Sequence, residues 1–365
     1  MNEGRRHLLQ LLGAAALSTT LPPASAASRS RVVLTVNGTL GDKSFFDLGA
    51  AGIREIQAKA AAGVETKVIE MGVDRTRWEP TVEDISSQGW DMIIACTYEM
   101  GDIIADVAAD NPKQTYVLFD GMVPYDKGAN RNVASIVYKQ NEASYLAGFL
   151  TASLLKEGAL PGAARPSLGF LGGMDIPVIN DYLVGYIAGA QAVDKESKFA
   201  ISYAGTFNDA AKGKELALAQ YRAGVAVGFN CAGQTGLGQL AAAKDAGRYA
   251  IGVNSDQEAI FSATDPALAA RIVTSVLKRV DVTTVRAFDQ YRTKTLRTGA
   301  VEAVGLAENA VGLVEGPALN KVASPALLQR LAQVKADIVS GKLKVPTAFG
   351  MSMQALNALR SSVRA

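Results

Sequence analysis

Short apolar runs punctuate this chain, each bounded by turn residues and followed by a segment of helix length. Val32-Val33-Leu34-Thr35-Val36-Asn37-Gly38 is the first, and Ser167-Leu168-Gly169-Phe170-Leu171-Gly172-Gly173 repeats its form. Asp91-Met92-Ile93-Ile94-Ala95-Cys96 is matched by Ala226-Val227-Gly228-Phe229-Asn230-Cys231. Tyr116-Val117-Leu118-Phe119-Asp120-Gly121 is matched by Tyr249-Ala250-Ile251-Gly252-Val253-Asn254-Ser255-Asp256. Runs of this length alternating with helical stretches predict βα units on a parallel sheet. Because the series occurs twice, the chain is predicted to be α/β, with two similar Rossmann-like lobes. Polar residues gather where the strands end: Asn37, Asp120, Asn230, Asn254 and Asp256. Ligands of open α/β sheets bind beyond the carboxyl ends of the strands, so two facing lobes predict one cleft lined by these residues.

The pattern divides the chain into a first lobe, residues 31–137 plus 276–304, and a second, residues 138–275. A tail, 305–365, packs across both. Asn132–Tyr138 alternates as a strand and leads to the first crossing. Arg271–Ser275 reads as a second crossing strand, after which a helix over 276–293 returns to the first lobe. The tail is predicted to carry short strands and one helix, Pro325–Ser340. Several crossings predict a directed hinge.

The first 26 residues stand outside this pattern. Arg5-Arg6-His7-Leu8-Leu9 opens a short apolar stretch that reaches Ala24-Ser25-Ala26, a small-x-small cleavage pattern. Residues 1–26 therefore read as an export signal. The paired arginines fit a twin-arginine leader, with an ordinary secretory signal as the alternative. No Cys lies near the cleavage site, so a lipid anchor is not expected, and the mature protein is placed in the periplasm. His7 is the single histidine, and it leaves with the leader. Without histidine, Ser-His-Asp and Cys-His catalysis and His-based metal sites are excluded; no metal or cofactor is expected. Lys and Arg number 37 against 35 Asp and Glu, so no basic surplus points to nucleic acid. Cys96 and Cys231 sit at matching strand ends and read as buried thiols.

Four features carry candidate chemistry. Asp42-Lys43-Ser44-Phe45-Phe46 places two rings just past the first strand; one is expected to face the cleft and stack on a flat ligand, the other to enter the core. Gly233-Gln234-Thr235-Gly236-Leu237-Gly238 is glycine-rich but lacks the lysine of a phosphate loop. It fits backbone approach to a neutral ligand or a tight turn. Asp120 and Asp256 occupy equivalent strand ends. They read as a catalytic carboxylate pair, as acceptors for a polar ligand, or as turn caps. Lys278, placed early in the returning helix, either reaches the cleft or is a solvated helix-face residue.

Taken together, several stretches resemble the basic membrane protein family of ABC-transporter substrate-binding proteins, whose best-understood members bind purine nucleosides. They are Gly41–Phe45, Leu146-Ala147-Gly148, Gly172-Gly173-Met174 with Pro177, Thr206-Phe207-Asn208-Asp209, Gly252–Gln257, Thr274-Ser275-Val276 with Lys278, and Ile338–Pro346. The resemblance implies a type I periplasmic-binding fold that closes on its ligand, a monomer, and an inner-membrane ABC permease as partner. It implies that Phe45 stacks on one purine face, with Phe229 the candidate for the other. Asn37 and Asp120 would lie at the base edge; Asp256 and Lys278, helped by Gly233, would hold the ribose. Phe46 stands where the family usually has Asn, and Asn254 where it usually has Asp. These departures surround the ligand and keep a free nucleobase or another flat polar metabolite as alternatives. A periplasmic nucleoside or glycoside hydrolase using Asp120 and Asp256 is the rival from another class.

Overall fold

The computed structural model describes residues 29–60, 63–160 and 167–365; the export-signal reading of residues 1–26 lies outside them. The chain begins β1 (Ser30–Val36), α1 (Phe45–Ala60), β2 (Val64–Glu70), α2 (Trp78–Ser86), β3 (Met92–Cys96), α3 (Gly101–Asp110), β4 (Thr115–Phe119) and β5 (Val133–Tyr138). It continues α4 (Gln140–Lys156), β6 (Ser167–Gly172), α5 (Pro177–Gln191), β7 (Phe199–Tyr203), α6 (Ala210–Arg222), β8 (Val225–Cys231), α7 (Gln234–Ala246) and β9 (Tyr249–Asn254). Then come α8 (Gln257–Ser262), α9 (Pro266–Ala269), β10 (Ile272–Lys278), α10 (Val280–Arg292) and β11 (Ala300–Val304). The last elements are β12 (Val311–Leu313), α11 (Pro317–Val322), α12 (Pro325–Val339) and α13 (Met353–Ser362).

The strands form two six-stranded sheets, ordered β11-β5-β4-β3-β1-β2 and β12-β10-β9-β8-β6-β7. Every pairing is parallel except β12 on β10. The order β5-β4-β3-β1-β2 recurs as β10-β9-β8-β6-β7, which is the internal repeat realised in space. Helices cover both faces, so Val32, Val33, Leu34 and Val36 of β1 are all fully buried. That double burial is why the strands read as unbroken apolar runs rather than alternating ones. The chain crosses between sheets between Tyr138 and Gln140, between Lys278 and Val280, and between Val304 and Val311. No described helix is long and apolar enough to cross a membrane.

Two elements differ from the sequence expectation. Residues 276–278 are strand, not helix: Val276 and Lys278 pair with Leu313 and Val311 of β12, and Val276 with Val253 of β9. Lys278 therefore closes a strand, and the return to the first lobe starts at Val280, with α10 packed on α1. The tail carries one short strand and three helices rather than one helix. Its final residues lie along β7: Phe199 N–H donates to Val363 (2.8 Å) and Ala365 N–H to Phe199 (3.1 Å), covering an otherwise open sheet edge.

Candidate functional site

Strand ends from both sheets open on one cavity of about 280 Å³ between the lobes. Asn37 follows β1, Thr97 follows β3 and Asp120 follows β4; Asn254 and Lys278 close β9 and β10 from the other side. Thr97, Asp120 and Asn254 hold φ values of 75°, 59° and 64°. Non-glycine residues rarely adopt this left-handed region, and such strain clusters where side chains are aimed at a ligand.

The loop before α1 is organised by Asp42. Its carboxylate accepts from the N–H groups of Ser44 (2.9 Å), Phe46 (3.0 Å) and Asp47 (3.2 Å). Burial pushes this carboxyl up, and the same three N–H groups hold it down. The cap fixes the start of α1 and so the two rings that follow. Phe45 and Phe46 meet edge to face, centroids 5.7 Å apart. Both line the cavity and both pack on the core; the expected division into one cleft ring and one core ring does not hold, because both rings stand on the first turn of α1, at the cavity wall. Phe46 also lies over Gly38, where a Cβ would come within 2.6 Å of the ring.

Lys278 is the electrostatic centre. Its side chain is 2% exposed, and its ammonium donates to Asp120 Oδ2 at 2.7 Å. The rings of Tyr182, Tyr138 and Phe45 surround it at 5.1, 5.2 and 5.7 Å. The pair joins β10 of one sheet to the end of β4 of the other. A second cross-lobe path starts at Tyr182, whose hydroxyl donates to Asn254 Oδ1 (2.9 Å), while Asn254 Nδ2 donates to Ser44 Oγ (2.8 Å). Asn37 Nδ2 donates to Thr97 Oγ1 (2.8 Å), and Asn37 Oδ1 is buried without a protein partner. Gly233, at φ 55°, turns the chain into α7, and no side chain caps that helix. Cys231 lines the wall as a buried thiol that burial pushes well up, hence neutral.

Of the expected site residues, Asn37, Phe45, Asp120, Gly233 and Lys278 line this cavity; Phe229 and Asp256 do not. Phe229 is 0% exposed and packs edge to face against Phe170, Tyr182 and Tyr186. It supports the wall from within, because β8 is covered on both faces. Asp256 instead accepts from Ala259 N–H (3.0 Å) as the cap of α8. Asn254, two residues earlier, takes the place at the cavity. The second lobe presents two rings to the cavity, Tyr182 of α5 and Phe207 in the loop after β7; Phe207 was not among the expected site residues. It is seated over Gly173, where a Cβ would meet the ring at 2.3 Å, and close to Gly233. Its signal in the sequence was an aromatic residue inside a polar loop, Thr206-Phe207-Asn208-Asp209. Met174, Ile176 and Val178 add apolar wall beside it.

Residues 29–348 match the model of the family described as ABC transporter substrate-binding protein PnrA-like. The ABC transporter nucleoside-binding protein BmpA of Lactococcus lactis is 29% identical over 333 residues, covering 87% of this chain and 89% of the relative. Basic membrane protein A of Borreliella burgdorferi is 26% identical, covering 87% and 88%. Among solved structures, an ABC transporter solute-binding protein from Aeropyrum pernix superposes with a TM-score of 0.77 at 24% identity, covering 91% of this chain and 98% of that one. The two-lobed arrangement is the type I periplasmic-binding fold.

Proposed function

The chain belongs to the family of PnrA-like ABC transporter substrate-binding proteins, and from that premise we propose that it captures a purine nucleoside in the interlobe cleft and delivers it to its permease. Members of this family bind a small-molecule ligand and work with an ABC permease. The observation that carries the ligand class is the pair of rings, Phe45 from the first lobe and Phe207 from the second, on the wall of one cavity with hydrogen-bonding groups at its depth. A purine offers two flat faces and an edge of donors and acceptors. In this reading Phe45 and Phe207 take the faces, at roughly 1–3 kcal/mol each. The unpartnered Asn37 Oδ1 and the free oxygen of Asp120 accept from the edge. Lys278 and the backbone at Gly233 donate to ribose oxygens. In this reading a leader in residues 1–26, with its paired arginines, exports the protein to the periplasm, where it works as a monomer.

A free nucleobase is the second reading, favoured by a specific observation. Both ends of the Asn254 amide are engaged, by Tyr182 and Ser44, and Asp256 caps a helix. Among the described residues, the carboxylates on the cavity wall are Asp120, the capping Asp42 and Glu99, and Glu99 is paired with Arg75. The hydrolase alternative needs two carboxylates flanking one bond, and Asp256 lies outside the cavity.

Thermal-shift and calorimetric titration with adenosine, guanosine, inosine, hypoxanthine and uridine tests the reading. A ligand held only by the folded state raises Tm, by about 2.7 kcal/mol of stability at a hundredfold excess over Kd. Nucleosides are expected to shift the protein and uridine far less. A shift with hypoxanthine alone selects the nucleobase reading, no shift with any purine sinks both, and release of free base from inosine would make the protein an enzyme.

A further inference from the structure

The family match stops at Ala348, and α13 lies beyond it. We infer that Arg360 of α13 is a positioning residue for the cleft: it clamps the three segments of the second lobe that build one wall, without lining the cavity itself. The guanidinium reaches Asp175 with both of its terminal nitrogens, at 3.0 and 2.6 Å. The second nitrogen is also 2.7 Å from Asn180 Oδ1 and 2.7 Å from the Tyr203 hydroxyl. The group lies 4.9 Å from the Tyr203 ring centroid, and its side chain is 15% exposed. Asn180 Nδ2 returns to Asp175 (2.9 Å) and Tyr203 to Asn180 (2.6 Å), so the three partners are bonded to one another as well as to Arg360, whose first terminal nitrogen also donates to Asn357 (3.2 Å) and whose Nε is buried without a partner.

Each partner sits beside cleft residues. Asp175 lies between Met174 and Ile176; Asn180 follows Val178 and Ile179 in the first turn of α5; Tyr203 ends β7, from which the chain runs to Phe207. The backbone repeats the link, since Thr206 N–H donates to Gly173 (3.0 Å) and Ala204 N–H to Gly172 (2.9 Å). A planar guanidinium presents its donors in a rigid fork, whereas the three donors of an ammonium rotate on a flexible stem. The helix itself is anchored elsewhere, by Leu356 packed with Val184 and Ala348 and by the Val363 and Ala365 bonds to Phe199. Removing the guanidinium therefore leaves α13 docked and frees the lip it holds. The effect on binding rests on the cleft being the ligand site; the effect on the lip does not.

The test is amide hydrogen exchange on the full chain, with and without adenosine, for wild type, Arg360→Ala and Arg360→Lys, with adenosine affinity by calorimetry. In Arg360→Ala, protection at 173–178 and 204–208 is expected to fall roughly tenfold while that of α13 and the sheet persists. Adenosine affinity is expected to fall roughly tenfold. Arg360→Lys keeps the charge on Asp175 and recovers part of both. Protection lost first in α13 or across the whole lobe would make Arg360 an ordinary brace, and unchanged protection at 173–178 and 204–208 would overturn the clamp. Lip protection lost with full adenosine affinity would overturn its role in binding. If wild type ignores adenosine but the selective exchange pattern appears, the clamp stands and the purine reading falls.

Discussion

Phe207 and Phe229 are aromatic residues of the same lobe, and their surroundings give them opposite work. Phe207 is half-buried on the cavity wall, with two glycines beside it and only the edge of the main core behind it. Phe207→Ala is expected to weaken adenosine binding by about 1–3 kcal/mol, the worth of one stacking face, and to lower the urea midpoint much less than Phe229→Ala does. Phe229 touches three other rings at full burial. Phe229→Ala is expected to cost about 3–5 kcal/mol of stability and to keep affinity where the variant is still folded. Calorimetry and urea denaturation on both variants separate the two roles, and the opposite pattern would restore Phe229 to the site. Position along a βα unit is enough to bring Asn37 and Asp120 to the cleft, whereas Lys278, expected early in a helix, gets there as the last residue of β10. The second ring was misassigned because β8 is buried on both faces, so alternation carries no information on which way Phe229 points. Asp256 was legible only as one of three options; the Gln257-Glu258-Ala259 turn after it is what makes it a cap.

At the scale of elements, close helix contact in the second lobe depends on missing side chains. Gly185 and Gly189 lie four apart on α5 and so share a face. A Cβ on Gly189 would stand 2.0 Å from the Tyr145 carbonyl oxygen, and one on Gly185 would stand 2.2 Å from that of Asn141, both on α4. Gly148 returns the arrangement, 2.1 Å from the Tyr186 oxygen. Alanine at a helix interior normally gains about 1 kcal/mol over glycine. Here the obstacle is backbone, which cannot rotate away, and overpacking of about 1–3 kcal/mol or more is expected to win. Gly189→Ala should lower the urea midpoint, and a stabilised variant would mean that the helices separate freely. The apolar runs revealed the order of strands, but not where β10 gives way to α10. Val276-Leu277-Lys278-Arg279-Val280 contains no Gly, Pro or capping residue, and Arg279 makes no side-chain cap. With no punctuation, the boundary is set by pairing to β9 and β12, which only the folded sheet supplies.

At the scale of the whole molecule, the lobes meet through two kinds of bond. The Lys278–Asp120 pair lies next to a chain crossing, since Val280 already belongs to the returning helix. Rotation about the crossings moves such a near-hinge contact little. The Asn254–Ser44 bond joins the end of β9 to the loop before α1 and is reinforced by Ser44 Oγ, 3.5 Å from the Val253 carbonyl. A bond that breaks when the cleft opens adds to the free energy that separates closed from open. Binding is weakened by whatever fraction of molecules is not competent. Ser44→Ala and Asn254→Ala are therefore each expected to lower adenosine affinity, mainly by faster release. Their coupling in a double-mutant cycle should be about 0.5–1.5 kcal/mol, the net worth of one hydrogen bond. Small-angle scattering should then show the double variant more extended than wild type at the same adenosine concentration. Strictly additive losses, or unchanged release with an unchanged scattering profile, would mean that the bond persists in the open form and that closure is driven by the ligand's own contacts with the two rings.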